Sequence, residues 1–145
     1  ENLHNELATS RKQITALRRE LVEKEFIRKL DAPELIHNVP VLTVLLPDTD
    51  ADTLRLMADQ FRQRYPTGVA VLASVYAERP LIVASVSDNL LARGINAVDL
   101  VRFVAAPIGG SGGGKPTLAQ AGGKDANKLG EALSKAHEWL NQNLK

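Results

Sequence analysis

Between residues 2 and 30 the chain carries no glycine or proline, and apolar residues recur at Leu3, Leu7, Ile14, Leu17 and Leu21. Steps of three and four place them on one stripe of an amphipathic helix, about 45 Å long at about 1.5 Å per residue. Ser10 and Lys24 occupy the stripe where further apolar residues would continue it, so the seam is short. Residues 31–38 contain Pro33 and read as a linker. Beyond them the period changes from helical to strand-like.

Residues 39–46 form an apolar, β-branched run closed by Pro47 and Asp48, the pattern of a strand buried on both faces. Thr49 or Asp50 can cap a helix reaching Tyr65, whose Leu54, Met57, Ala58 and Phe61 share one face. Two further strands, 69–76 and 80–86, are separated only by a short polar turn, which predicts an antiparallel hairpin. The helix before them permits a parallel crossover from the first strand. Short helices follow over 89–93, capped by Ser87 or Asp88, and over 98–106, with Asp99 in the first turn. A terminal helix spans 125–144, with Leu129, Leu133, Ala136 and Leu140 buried and Gly130 in its interior. The fold expected is α/β: a long N-terminal helix (1–30, a helical subdomain), the linker, and a small mixed-sheet α/β sandwich over 39–145.

Composition narrows the chemistry. The 145 residues are 44% apolar and 24% charged, which excludes a disordered tail, and no apolar run approaches the roughly 18 residues of a membrane span. Cysteine is absent, which removes disulfides, thiolate nucleophiles and cysteine-ligated zinc. A net charge of +1 supplies no global field for a polyanion, so a nucleic-acid partner needs a local patch. Arg18 and Arg19 belong to a first helix with seven basic residues against five glutamates over residues 1–30. Starting at Glu1 with no initiator methionine, the chain reads as part of a longer protein.

The densest signal is glycine: seven of the fifteen residues from 109 to 123. Ordering such a segment costs more backbone entropy than any other composition. Its uses are positive-φ conformations, or a bare main chain that a partner can approach closely. Lys115 follows the run and could add its charge to amides facing a phosphate, and Gln120 offers both a donor and an acceptor. A flexible linker fits the same composition. Gly109, Gly114 and Lys115 have Walker A spacing, but Pro116 replaces the Ser or Thr that would hold magnesium. His4, His37 and His137 lack ligand spacing, Asp48, Asp50 and Asp52 suit helix capping, and no Ser/His/Asp arrangement emerges. No catalytic residue, metal ligand or cofactor is expected in this segment. Of the aromatics, Phe26, Phe61, Phe103 and Trp139 fall where helices could bury them, which disfavours a base-stacking platform.

The run Gly109-Gly110-Ser111-Gly112-Gly113-Gly114-Lys115-Pro116, followed by Ala119-Gln120-Ala121-Gly122-Gly123, resembles the C-terminal signature of bacterial alanyl-tRNA synthetases. Val86-Ser87-Asp88 upstream and Ala132, Leu133 and Trp139 downstream extend the resemblance. It implies a globular part related to the C-terminal domain of DHH phosphoesterases. It also implies a non-catalytic, cytoplasmic module that holds the elbow of tRNA(Ala) and couples aminoacylation with editing by upstream domains. Carried over by position, Gly109, Gly110, Gly112, Gly113, Gly114, Lys115, Gln120, Gly122 and Gly123 become the tRNA-facing or loop-shaping set. Lys124, Lys128, Arg18 and Arg19 are auxiliary cations. Thr117 stands where many relatives carry aspartate, and the glycine segment lacks the histidine found in phosphoesterase relatives. Two other readings remain open: an interaction module self-associating through the first helix, and the substrate-binding half of a DHH-type phosphoesterase.

Overall fold

In a computed structural model the chain is described over residues 2–144, with the backbone alone described at residues 2–12, 14, 15, 18, 19 and 111. Helix α1 (Asn2–Asp31) leads into strands β1 (Glu34–Ile36) and β2 (Val39–Pro47), helix α2 (Ala51–Arg64), and strands β3 (Val69–Tyr76) and β4 (Arg79–Val86). Then come helices α3 (Asp88–Leu91) and α4 (Ala97–Ala105), strands β5 (Ser111–Lys115) and β6 (Leu118–Gly122), a 3-10 turn (Ala126–Lys128) and helix α5 (Leu129–Asn143). The six strands form one mixed sheet in the order β1-β2-β3-β4-β6-β5, with only β2 and β3 parallel. No helix among the described residues is long and apolar enough to cross a membrane.

The expected crossover and hairpin both form. Asp50 caps α2 by accepting from the Thr53 amide at 3.1 Å, and Leu54, Met57, Ala58 and Phe61 are buried as the helical pattern predicts. Asn96 caps α4, its side chain accepting from the Val98 amide at 2.8 Å.

Each face of the sheet has its own core. On one, α1 and α2 cover β2, β3 and β4 through Val22, Phe26, Leu30, Leu42, Leu72 and Phe61. On the other, α4 and α5 cover the sheet from β2 to the edge strand β5 through Val71, Ile82, Leu100, Val104, Ala119, Ala121 and Leu140.

Three expectations change. Residues 34–36 pair with β2 instead of linking, because His37 and Asn38, at φ 50° and 67°, make a two-residue turn that returns the chain antiparallel. On α1, Val22, Phe26 and Leu30 are the buried positions, whereas Leu17 and Leu21 are 59% and 65% exposed. Among the described side chains, those of the C-terminal third of the helix lie on β2 and α2, fixed there by the Tyr65 hydroxyl donating to the Leu30 carbonyl (2.6 Å) and by the Arg64–Asp31 ion pair (2.5 Å). The side chains of Leu3, His4, Leu7 and Ile14 lie outside the described residues. Third, the glycine segment forms a β-hairpin in place of a loop, its strands joined by Pro116 and Thr117.

Candidate nucleic-acid interface

Strand β6 alternates Leu118, Gln120 and Gly122 with Ala119 and Ala121. The two alanines are buried under α4, which gives the hairpin a covered face. Residues directly opposite in a ladder share a face. Gly112 and Gly114, paired with Ala121 and Ala119, therefore belong to the covered side. Gly113 and Lys115, paired with Gln120 and Leu118, belong to the other. There α1 and α2 reach only as far as β4, with Leu118 at their border, and no helix among the described residues packs on β5 or β6.

The glycines separate along the same line. A Cβ at Gly110 would lie 1.9 Å from the Gly122 carbonyl oxygen, at Gly112 2.4 Å from that of Gln120, and at Gly114 2.7 Å from that of Leu118. A Cβ at Gly123 would meet the Ile108 carbonyl oxygen at 2.6 Å. Gly109 adopts φ +65°, a left-handed conformation that turns the chain out of α4 into β5. All five glycines are required by the fold itself. Gly113 has nothing within 4 Å of an added Cβ, and Gly122 would meet only ordinary contacts at 3.7 and 3.9 Å. These two lie on the uncovered side with Gln120 and Lys115, both exposed. Lys115 makes no salt bridge among the described residues. β5 is also an edge strand, so a backbone largely free of side chains borders solvent.

Of the auxiliary cations, Lys124 and Lys128 stand apart from Lys115. Lys124 leaves the hairpin at the end opposite Lys115, its amide held by the Ile108 carbonyl at 2.9 Å. Lys128 lies in the 3-10 turn, with Nζ 3.7 Å from Glu131. Arg18 and Arg19 have side chains outside the described residues, on a helix that packs on β2, four strand steps from β5.

The remaining candidates are structural. The His137 Nδ1–H donates to Glu34 at 3.2 Å, so its Nε2 accepts from the Thr43 hydroxyl at 2.9 Å when the ring is neutral, and the His37 Nε2–H donates to the Asn141 carbonyl at 3.1 Å. Both histidines thus tie α5 to the β1–β2 edge. Asp52 pairs with Arg55 at 2.6 Å within α2. Phe103 is 38% exposed instead of buried, with Lys135 Nζ 5.5 Å from its ring centre. Among the described residues no three His, Asp or Glu side chains gather as a metal site.

A sequence profile of the DHHA1 domain family matches residues 38–142. The chain is 46% identical over 105 residues to the alanine–tRNA ligase of Geobacillus thermodenitrificans, a match covering 72% of this chain and 12% of that protein. It is 36% identical to the alanine–tRNA ligase of Oceanobacillus iheyensis over the whole chain and 16% of the relative. The chain thus spans only about an eighth to a sixth of these relatives. Among solved structures, the C-Ala domain from Aquifex aeolicus alanyl-tRNA synthetase superposes with a TM-score of 0.68 at 30% identity, covering 74% of this chain and 96% of that one. A DHH domain described as a member of the s1p family of ribosomal proteins shares the fold, at TM-score 0.56 and 16% identity over 91% of this chain and 33% of that one.

Proposed function

Because the chain belongs to the DHHA1 domain family, in the branch formed by the C-terminal domains of alanyl-tRNA synthetases, we propose that it is a non-catalytic module that grips the elbow of tRNA(Ala). The observation that carries the reading is the pair Gly113 and Gly122: side chains are absent there although the fold leaves room for them. A bare surface of this kind lets a bulky, rigid partner approach the main chain, and Lys115 beside it supplies one phosphate contact. Folded RNA is such a partner, recognised through shape and backbone rather than through a multi-base stacking platform. Gln120 adds a side chain that can donate or accept on the same face.

Holding the elbow would keep the acceptor end near catalytic and editing domains elsewhere in a cytoplasmic synthetase. A tethered second contact of this kind raises the effective concentration to about the millimolar range, which lets ligation and editing act on one bound tRNA. Chemical probing of intact tRNA(Ala) with the chain bound tests the reading: protection is expected at the elbow, and an elbow as reactive as in free tRNA overturns it. Lys115→Ala should weaken binding and reduce the slope of log affinity against log salt by about one phosphate's worth, measured by anisotropy titration, without loss of fold.

A second reading draws on the exposed Leu17 and Leu21, one helical turn apart on α1. They suit self-association through α1, and a concentration-dependent dimer indifferent to tRNA in sedimentation would favour it.

A further inference from the structure

We infer that the cleft between the C-terminal half of α2 and the β4–α3 junction receives a single unstacked nucleobase of the RNA that lies on the neighbouring hairpin face; this rests on the tRNA-binding reading above. The cleft is open to solvent and measures about 510 Å³. Arg62, Gln63 and Asp59 line it from α2, and Asp88 and Asn89 from the start of α3. Its position is tied to the hairpin by backbone: the Val86 amide donates to the Thr117 carbonyl at 2.9 Å, which sets the Pro116–Thr117 turn against the cleft's inner end at Ser87. Lys115 pairs with Leu118, and Leu118 with Ser85. Two strand spacings separate Lys115 from Ser85, and Ser87 lies two residues further along, so Lys115 is about 12 Å from the cleft's inner end, on the same face of the sheet as α2.

The lining decides what the cleft can hold. Among the described residues, neither Arg62 nor either carboxylate forms a salt bridge, so one guanidinium and two solvated carboxylates line the space. A phosphate would meet more negative than positive charge. The edge of a base instead offers amino and imino N–H groups that carboxylates accept, together with carbonyl oxygens and ring nitrogens to which Arg62 and Gln63 donate; the Asn89 amide already donates to the Thr67 hydroxyl. Single bases are read in this way where RNA leaves them unstacked, and a guanidinium plane can also stack on them. The hairpin face would then fix the backbone while the cleft reads one base.

The test is an anisotropy titration of the 145-residue chain with transcribed tRNA(Ala) over a salt series, comparing wild type, Arg62→Gln, Asp88→Asn and Lys115→Ala, with thermal unfolding as the control for folding. A base in the cleft predicts that Arg62→Gln and Asp88→Asn each weaken binding roughly 5- to 100-fold with the salt slope unchanged. Asp88→Asn tightening the complex, or Arg62→Gln lowering the slope by about one, would place a phosphate there and overturn the inference. Unaltered binding in both variants, with Lys115→Ala still weakened, overturns the cleft alone. If Lys115→Ala is also silent, the elbow-binding reading falls with it.

Discussion

Adjacent glycines in β5 do opposite things. At Gly112 an added methyl would drive into Gln120 and Ala121, whereas at Gly113 it would enter open space. Gly112→Ala is therefore expected to cost about 1–3 kcal/mol through forced displacement of β6, seen as a lowered unfolding midpoint. Gly113→Ala should leave stability within about 1 kcal/mol of wild type, since it also restricts the unfolded chain. Its effect should fall on tRNA affinity, as a several-fold loss in the same titration. A Gly113→Ala chain that binds normally would show that the bare face meets no partner. The sequence could not separate these residues, because a run of glycines carries no alternation of its own. The signal lay in the partner strand, where Ala119 and Ala121 alternate with Leu118 and Gln120.

Among the elements, α1 is attached by few positions. Val22, Phe26 and Leu30, spaced at i, i+4 and i+8, are its buried residues among those described, and Phe26 is the largest of them. Phe26→Ala should cost about 3–5 kcal/mol by emptying the seam between α1, β2 and α2, measurable by denaturant unfolding. Its last turn is held by the buried Leu30 side chain, by the hydrogen bond from Tyr65 to the Leu30 carbonyl and by the exposed Arg64–Asp31 pair, which adds little. Hydrogen exchange in Phe26→Ala is accordingly expected to lose protection first along α1, while β3 and β4 stay protected. The sequence announced the helix but pointed to another stripe: Leu17 and Leu21 continue a regular spacing, yet the docking angle of α1 sets which face meets β2. β1 was obscured for a comparable reason. Three residues beside Pro33 show no period, and the His37–Asn38 turn lacks the usual Asn-Gly signal.

At the scale of the whole molecule, the sheet is covered unevenly, and this makes the candidate interface. One face is roofed out to the edge strand β5 by α4 and α5, while the roof on the other stops at β4. The hairpin projects from that border as an edge with one face packed and one bare. At the opposite edge, the chain's C-terminal helix is fastened to its first hairpin by His137, which bridges Glu34 and Thr43 across more than ninety residues of sequence. His137→Ala should destabilise the chain by about 1–2 kcal/mol, because two modest hydrogen bonds are lost from a half-buried site. Faster exchange in both β1 and α5 is the expected signature, and tRNA binding at the far edge should be unaffected. An equal loss of tRNA affinity would mean that the two edges are coupled.

The sequence by itself determined the helices, strands β2 to β4, the crossover and the hairpin, because local periodicity and turn chemistry act within a few residues. It also marked 109–123 as the segment of unusual backbone, through the entropic cost of ordering seven glycines. Tertiary structure alone decided that this segment is a hairpin. It also fixed which of its glycines serve the fold and which remain bare, and set Lys115 apart from Lys124, Lys128 and the helix bearing Arg18 and Arg19. Those outcomes depend on strand order and on where each helix stops covering the sheet, and both are settled by packing between residues far apart in the chain.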